Sequence, residues 1–261
     1  TYSIDISIEL ENYTRSNFSI LMDIKPRFTT LNDTSTLYHV SIDGWIHDAF
    51  NLTFEYKDTT GTANFRVGDL ELAYYYWYQL ADDGTPIGTP SSNIDLIENE
   101  DNLYILDFDT ETRDIGKYAI FITLQKNNYE ARNAFINLEI KERTIDHLIS
   151  ATGLSGSRIT VIQGENIIIT LDLKDESRNM AELTGAIVSL TIGSSQYSFV
   201  ELGNGTYQLV FPTEDLNALF LPQTLLGTIK ISKEDFVTEN VSITIVIGMT
   251  EIFPGFPMFY F

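Results

Sequence analysis

Residues 117–143 read KYAIFITLQKNNYEARNAFINLEIKER, and residues 1–27 read TYSIDISIELENYTRSNFSILMDIKPR. Laid over one another with a shift of 116, the two stretches agree where a strand pair needs agreement. Tyr2 meets Tyr118, Ile4 meets Ile120, Ile6 meets Ile122, Ile20 meets Ile136 and Ile24 meets Ile140. Asn12-Tyr13 meets Asn128-Tyr129 in the middle, and Arg27 meets Arg143 at the end. Apolar residues fall at alternate positions on both sides of the middle, which is the period of a β-strand with one face turned inward.

The same unit returns with a further shift of 107. Lys126-x-x-Tyr129 becomes Lys233-x-x-Phe236, and Ile136-x-Leu-x-Ile140 becomes Ile243-x-Ile-x-Ile247. Two other blocks repeat once, in the same order. Thr53–Asp58 matches Thr170–Asp175, and the run from Tyr104 to Glu111 matches the run from Tyr207 to Glu214. The shift drops from 117 to 103 between those blocks, so the first copy holds about 14 extra residues, placed within 78–100. The chain therefore reads as the closing strand pair of one repeat (1–27) and two full repeats (28–143 and 144–249). An apolar tail (250–261) follows.

Period-2 alternation runs through the rest of the chain, punctuated by Asp83-Gly84, Asn204-Gly205, Gly61 and Gly193. The single helical turn expected begins at Thr213. About seven strands per repeat of roughly 105–115 residues is the scale of an immunoglobulin-like β-sandwich. The fold class expected is all-β, with tandem sandwiches joined by a short link at 142–148.

Composition narrows the partners. The chain has 261 residues, 16 Lys+Arg against 37 Asp+Glu, a formal charge of −21 and no cysteine. Such a charge argues against nucleic acid, which needs cationic side chains to neutralise phosphate. The lack of cysteine excludes disulfides, thiolate metal sites and a cysteine nucleophile. Residue 1 already lies inside a strand pattern, so a processed or partial chain is expected. At the other end, residues 249–261 carry Pro254-Gly255-Phe256 in an apolar, aromatic run. Too short to span a bilayer, that run reads as the approach to a membrane anchor.

The repeated Tyr-x-Ile-x-Ile, Asn-x-Tyr and Ile-x-Leu-x-Ile pattern, followed by Pro-Gly-Phe, resembles archaeal cell-surface proteins. Those carry tandem immunoglobulin-like repeats ahead of a C-terminal membrane anchor. The resemblance implies an extracellular stalk, adhesion or envelope role and brings no catalytic residues with it.

Six Asn-x-Ser/Thr sites, at Asn12, Asn17, Asn32, Asn51, Asn204 and Asn240, fit an exported glycoprotein. The three histidines, His39, His47 and His147, stand in no nucleophile or metalloprotease motif. No cofactor and no enzymatic activity are therefore expected. The best local oxygen cluster for a structural Ca²⁺ is Asp107, Asp109 and Glu111. Its second-copy equivalents, Val210 and Pro212, would not serve.

The run Tyr74-Tyr-Tyr-Trp-Tyr78 is the remaining singular feature. On a strand, Tyr74, Tyr76 and Tyr78 share one face, and Tyr75 and Trp77 share the other. One face fills the core, whose centre would suit Trp77, and the other exposes aromatics. Cross-strand packing, an inter-domain contact and a binding surface all fit that exposed face. In the binding reading the candidate ligand residues are Tyr75 and Trp77, and Trp77→Ala should remove glycan binding with the fold intact. Three functions remain: a stalk or adhesion module meeting other surface proteins, a glycan- or ligand-binding ectodomain, and accessory domains of a larger secreted enzyme.

Overall fold

A computed structural model describes residues 1–9, 11–216 and 222–248. The apolar tail at 250–261, with its anchor reading, lies outside the described residues. Contacts divide the chain into two units, 1–141 and 142–261.

Unit 1 is a two-sheet sandwich. One sheet runs Ile97–Glu98, Leu103–Phe108, Phe50–Asp58 and Thr29–Leu31, with Phe65–Arg66 added to Phe50–Asp58. The other runs Tyr38–Trp45, Arg132–Lys141, Gly116–Gln125, Leu72–Leu80 and Pro86–Ile87. All pairings are antiparallel except Tyr38–Trp45, which lies parallel to Arg132–Lys141. Alternation decides what each strand buries. Along Gly116–Gln125, Tyr118, Ile120, Ile122 and Leu124 are in the core, and they meet Phe54, Tyr56, Leu106 and Phe108 from the opposite sheet. The Tyr118 hydroxyl donates to the Asp114 carbonyl, 2.8 Å away. That is the tyrosine corner of immunoglobulin-like sandwiches.

Unit 2 repeats the plan. Ile145–Ala151, Asn166–Asp175, Thr206–Pro212 and Val200–Gly203 form one sheet. Arg158–Ile162, parallel to Glu239–Gly248, joins Gln223–Ser232, Ile187–Ile192 and Ser195–Ser198 in the other. Its core includes Ile169, Leu171, Leu190, Ile229, Ile243 and Ile245. The chain is thus all-β, with two successive immunoglobulin-like sandwiches. The stretch read as a link to residue 148 is shorter than expected, because Ile145 is buried and opens a strand on Asn166–Asp175. The helical turn at Thr213 is a 3₁₀ turn, Thr213–Leu216.

The N-terminal repeat is a lone hairpin, Tyr2–Ile8 with Ser16–Met22. Its register matches that of the closing strands of unit 1. Tyr2 faces Met22 as Tyr118 faces Leu138, and Ile4 faces Ile20 as Ile120 faces Ile136. The turns agree as well. Asn12, Asn128 and Asp235 take φ of 70°, 67° and 67°, a left-handed conformation that Asn and Asp tolerate better than most residues.

An arginine follows each of the first two closing hairpins and docks in the same way. Arg27 receives the Glu130 N–H and donates its own to the Asn128 carbonyl. Its Nε reaches Asp58. Arg143 makes the matching backbone bonds with Val237 and Asp235, and its Nη1 lies 2.7 Å from Asp175. Asp58 is fully buried. Burial works against its charge, but the Thr60 N–H and the Arg27 guanidinium outweigh that and hold its carboxyl below the usual carboxylate range. A depressed native pKa stabilises the fold above the unfolded value and ceases to do so as pH falls through the native one. Asp58→Asn should therefore lower the melting temperature of unit 1 at pH 7. It should also flatten the fall in melting temperature as pH drops below about 4, measured by calorimetry. An unchanged acid limb would contradict that role.

Candidate functional site

The face of unit 1 that points away from the core on the Leu72–Leu80 sheet carries an aromatic row. Strand register builds it. Tyr76 stands opposite Phe121, Phe121 opposite Phe135, and Phe135 opposite His39, so four rings cross four strands. Their centroids are 5.2 Å, 4.8 Å and 5.2 Å apart in that order. Tyr78 closes on the row from the next position, edge-on to Tyr76 and Phe121.

Beside the row the face dips. A depression of about 240 Å³ opens there, lined by Ser41, Asp43, Leu80, Lys117, Asn137 and Glu139. The Asn137 amide lies 3.0 Å from His39 Nε2. Lys141 pairs with Asp43 at 2.6 Å, and that carboxylate pushes the ammonium pKa up. The face thus joins an apolar ridge to a mixed-charge border.

Ring geometry limits what the ridge can hold. Tyr76 and Phe121 lie 12° from parallel and cover one another's faces. Stacking on a sugar needs an open ring face, and the facing sides of Tyr76 and Phe121 are taken by one another. A ridge built of Tyr and Phe is the kind of surface that aromatic residues bring to protein interfaces.

The expected ligand pair lies on the opposite side of the strand. Tyr75 is 3% exposed, and its hydroxyl donates to the Asp107 carbonyl at 2.8 Å. Trp77 packs against Phe108 and Tyr118, at 6.0 Å and 5.6 Å. Strand alternation sends both inward with Ile120 and Ile122, Tyr75 into the core and Trp77, half-buried, packed against it. Tyr74, Tyr76 and Tyr78 share the outward face, where all three are half-buried among their neighbours.

The calcium candidates do not converge. Asp109 turns back on its own loop, accepting from the Thr112 hydroxyl and the Glu111 N–H, which outweigh burial and hold its carboxyl below the usual range. Asp107 contributes its carbonyl to Tyr75. Among the described residues no group of three or more His, Cys, Asp or Glu is arranged to hold a metal ion. Of the histidines, His39 belongs to the aromatic row, His47 sits in a turn with φ of 63°, and His147 borders an open cleft with Asp146, Lys174 and Glu182.

Among the glycosylation candidates, Asn12, Asn17, Asn51, Asn204 and Asn240 are exposed. Asn32 is half-buried, and its side-chain oxygen accepts the Glu55 N–H at 2.7 Å.

No family model and no curated protein matches the chain. Solved structures similar to it include tandem immunoglobulin domains A164–A165 of titin, at 10% identity and TM-score 0.29, over 87% of this chain and all of that one. The Ig1-2 module of the Drosophila receptor tyrosine phosphatase DLAR is 10% identical, with TM-score 0.26, over 85% of this chain and 99% of that one. A tetra-tandem repeat from the extending region of a large adhesion protein is 12% identical, with TM-score 0.32, over 94% of this chain and 56% of that one.

Proposed function

We propose that this chain is a non-enzymatic module of an extracellular surface protein, in which one sandwich of a repeated series carries a protein-recognition face. The carrying observation is that the aromatic row is not required by the fold. Where unit 1 has Phe121 opposite Phe135, the hairpin has Asp5 opposite Ser19 and unit 2 has Thr228 opposite Ser242, all in the same register. Where unit 1 has Tyr76, unit 2 has Thr191. Three copies of one strand pair turn largely apolar residues inward, with Ile136 matched by Ile20 and Ile243, and one alone carries rings outward. A partner of neutral or basic surface suits a chain of charge −21. The acidic surface, the exposed Asn-x-Ser/Thr sites and the repeated architecture support an extracellular stalk or adhesion setting.

The test grafts the residues of unit 2 into the row: Tyr76→Thr, Phe121→Thr and Phe135→Ser together. The variant should keep both sandwiches folded, because unit 2 is built on those residues. Binding of the labelled chain to whole cells of its source should fall at least tenfold, the scale of losing an aromatic hot spot. Pretreating the cells with protease should remove wild-type binding, and glycosidase should not. Binding lost to glycosidase alone would favour the glycan reading. Undiminished binding by the graft would dismiss the face.

A further inference from the structure

We propose that the Tyr2–Met22 hairpin is the closing strand pair of a third sandwich, its apolar face covered by that sandwich's opposing sheet, supplied by polypeptide that precedes Thr1 in the parent chain.

Tyr2, Ile4, Ile6, Phe18, Ile20 and Met22 occupy the positions of Tyr118, Ile120, Ile122, Ala134, Ile136 and Leu138. In unit 1 those six are at most 2% exposed. In the hairpin, Tyr2 is 62% exposed, and Ile4, Phe18, Ile20 and Met22 are each between 42% and 46%. A face this apolar on a two-stranded ribbon is out of place in water, and such a ribbon is marginal on its own.

Three observations name what covers it. First, the equivalent face of unit 1 is covered by Phe54, Tyr56, Leu106 and Phe108 of the opposing sheet. An apolar sheet of that kind is the complement the hairpin lacks. Second, both hairpin edges are open where unit 1 has partners. Gly116–Gln125 is flanked antiparallel by Leu72–Leu80, and Arg132–Lys141 is flanked parallel by Tyr38–Trp45. Third, Tyr2 holds the tyrosine-corner position. The Tyr118 hydroxyl bonds the Asp114 carbonyl, four residues earlier in the chain, at the corner of its sandwich. After the hairpin, Arg27 and Asp58 repeat the arginine–aspartate junction that Arg143 and Asp175 form in unit 2. The outward face of the hairpin carries Ser3, Asp5, Ser7, Asn17, Ser19 and Leu21 and no aromatic ring.

Hydrogen exchange read by mass spectrometry tests this in two proteins, the present chain and the parent protein. In the present chain, residues 2–8 and 16–22 should exchange at least a thousandfold faster than residues 118–124 and 134–140. In the parent, the hairpin should gain protection comparable to unit 1. Ile4→Asp with Ile20→Asp should abolish that gain and leave units 1 and 2 unchanged. Fast hairpin exchange in the parent, or a parent with no sandwich-length stretch ahead of Thr1, overturns the proposal. Protection that grows with concentration in the present chain would make a second copy the occupant and overturns it equally.

Discussion

Arg143→Ala is expected to destabilise unit 2 by about 3–5 kcal/mol, the usual cost of removing one partner of a buried ion pair. At roughly 4–8 °C per kcal/mol for a domain of this size, the melting transition of unit 2 should fall by well over 10 °C. Arg143 and Asp175 are 3% and 5% exposed. Nη1 and Oδ2 are 2.7 Å apart, and the Ser177 hydroxyl donates to the other carboxylate oxygen. Losing the guanidinium leaves a carboxylate inside the protein without that countercharge. The backbone bonds of residue 143 to Asp235 and Val237 survive the change, so the loss isolates the side chain. Arg27→Ala should cost less, because the Arg27 side chain is 44% exposed and the Thr60 N–H still serves Asp58. Arg143→Met with Asp175→Leu should recover most of the stability, since an apolar pair avoids the desolvation that the ion pair had to overcome. Denaturant unfolding followed by exchange on unit 2 peptides separates these outcomes. An Arg143→Ala penalty below about 1 kcal/mol would mean that Asp175 finds water or another partner.

The architecture was legible because the repeats conserve chemistry at the positions the core uses. Tyr118, Ile120 and Ile136 are inward in unit 1, and their matches Tyr2, Ile4 and Ile20 take the same register. Tyr38–Trp45 was harder to see. Its Ser41, Asp43 and Gly44 dilute the alternation, and its neighbour is reached only by a parallel pairing that sequence order does not suggest. Ile145–Ala151 was hidden in the same way by Asp146 and His147 on its outer side. Arg27, Arg143, Asp58 and Asp175 each stood out as repeated residues. That they pair is a fact of folding, since 31 or 32 residues separate the partners. The aromatic run showed two faces but not which was inward, because aromatics occupied both. The second copy held the answer: Thr191-Ile192-Gly193 aligns with Tyr76-Trp77-Tyr78, and its one apolar residue marks the inner face. Phe121, Phe135 and His39 could not be joined to Tyr76 before the register was known.

Trp77→Ala should accordingly unfold unit 1 before it reveals anything about binding. The indole fills a junction where Phe108 and Tyr118, themselves 5.7 Å apart, both pack edgewise on it. The Arg113 guanidinium covers the ring at 4.3 Å. Truncation removes the indole from all three, for an expected loss of about 3 kcal/mol, the low end for a core tryptophan because Trp77 is partly buried, with up to about 1 kcal/mol more from the cation–π contact. The backbone of residue 77 also anchors the inserted loop, donating to the Ser91 hydroxyl and accepting the Ser91 N–H. A collapse into the vacated space would be felt there as faster exchange over residues 86–95. Trp77→Phe should be far milder, under about 1.5 kcal/mol, because it keeps an aromatic ring in place. The indole Nε1–H makes no hydrogen bond among the described residues, so none is lost. Tyr76→Thr, one residue away on the outer face, should change stability by less than about 1 kcal/mol. The three variants separate the two faces of one strand, with stability following residue 77 and recognition following residue 76. If Trp77→Ala melted like wild type and only Tyr76→Thr unfolded unit 1, the faces would have to be exchanged and the recognition surface sought among Tyr75 and Trp77 after all.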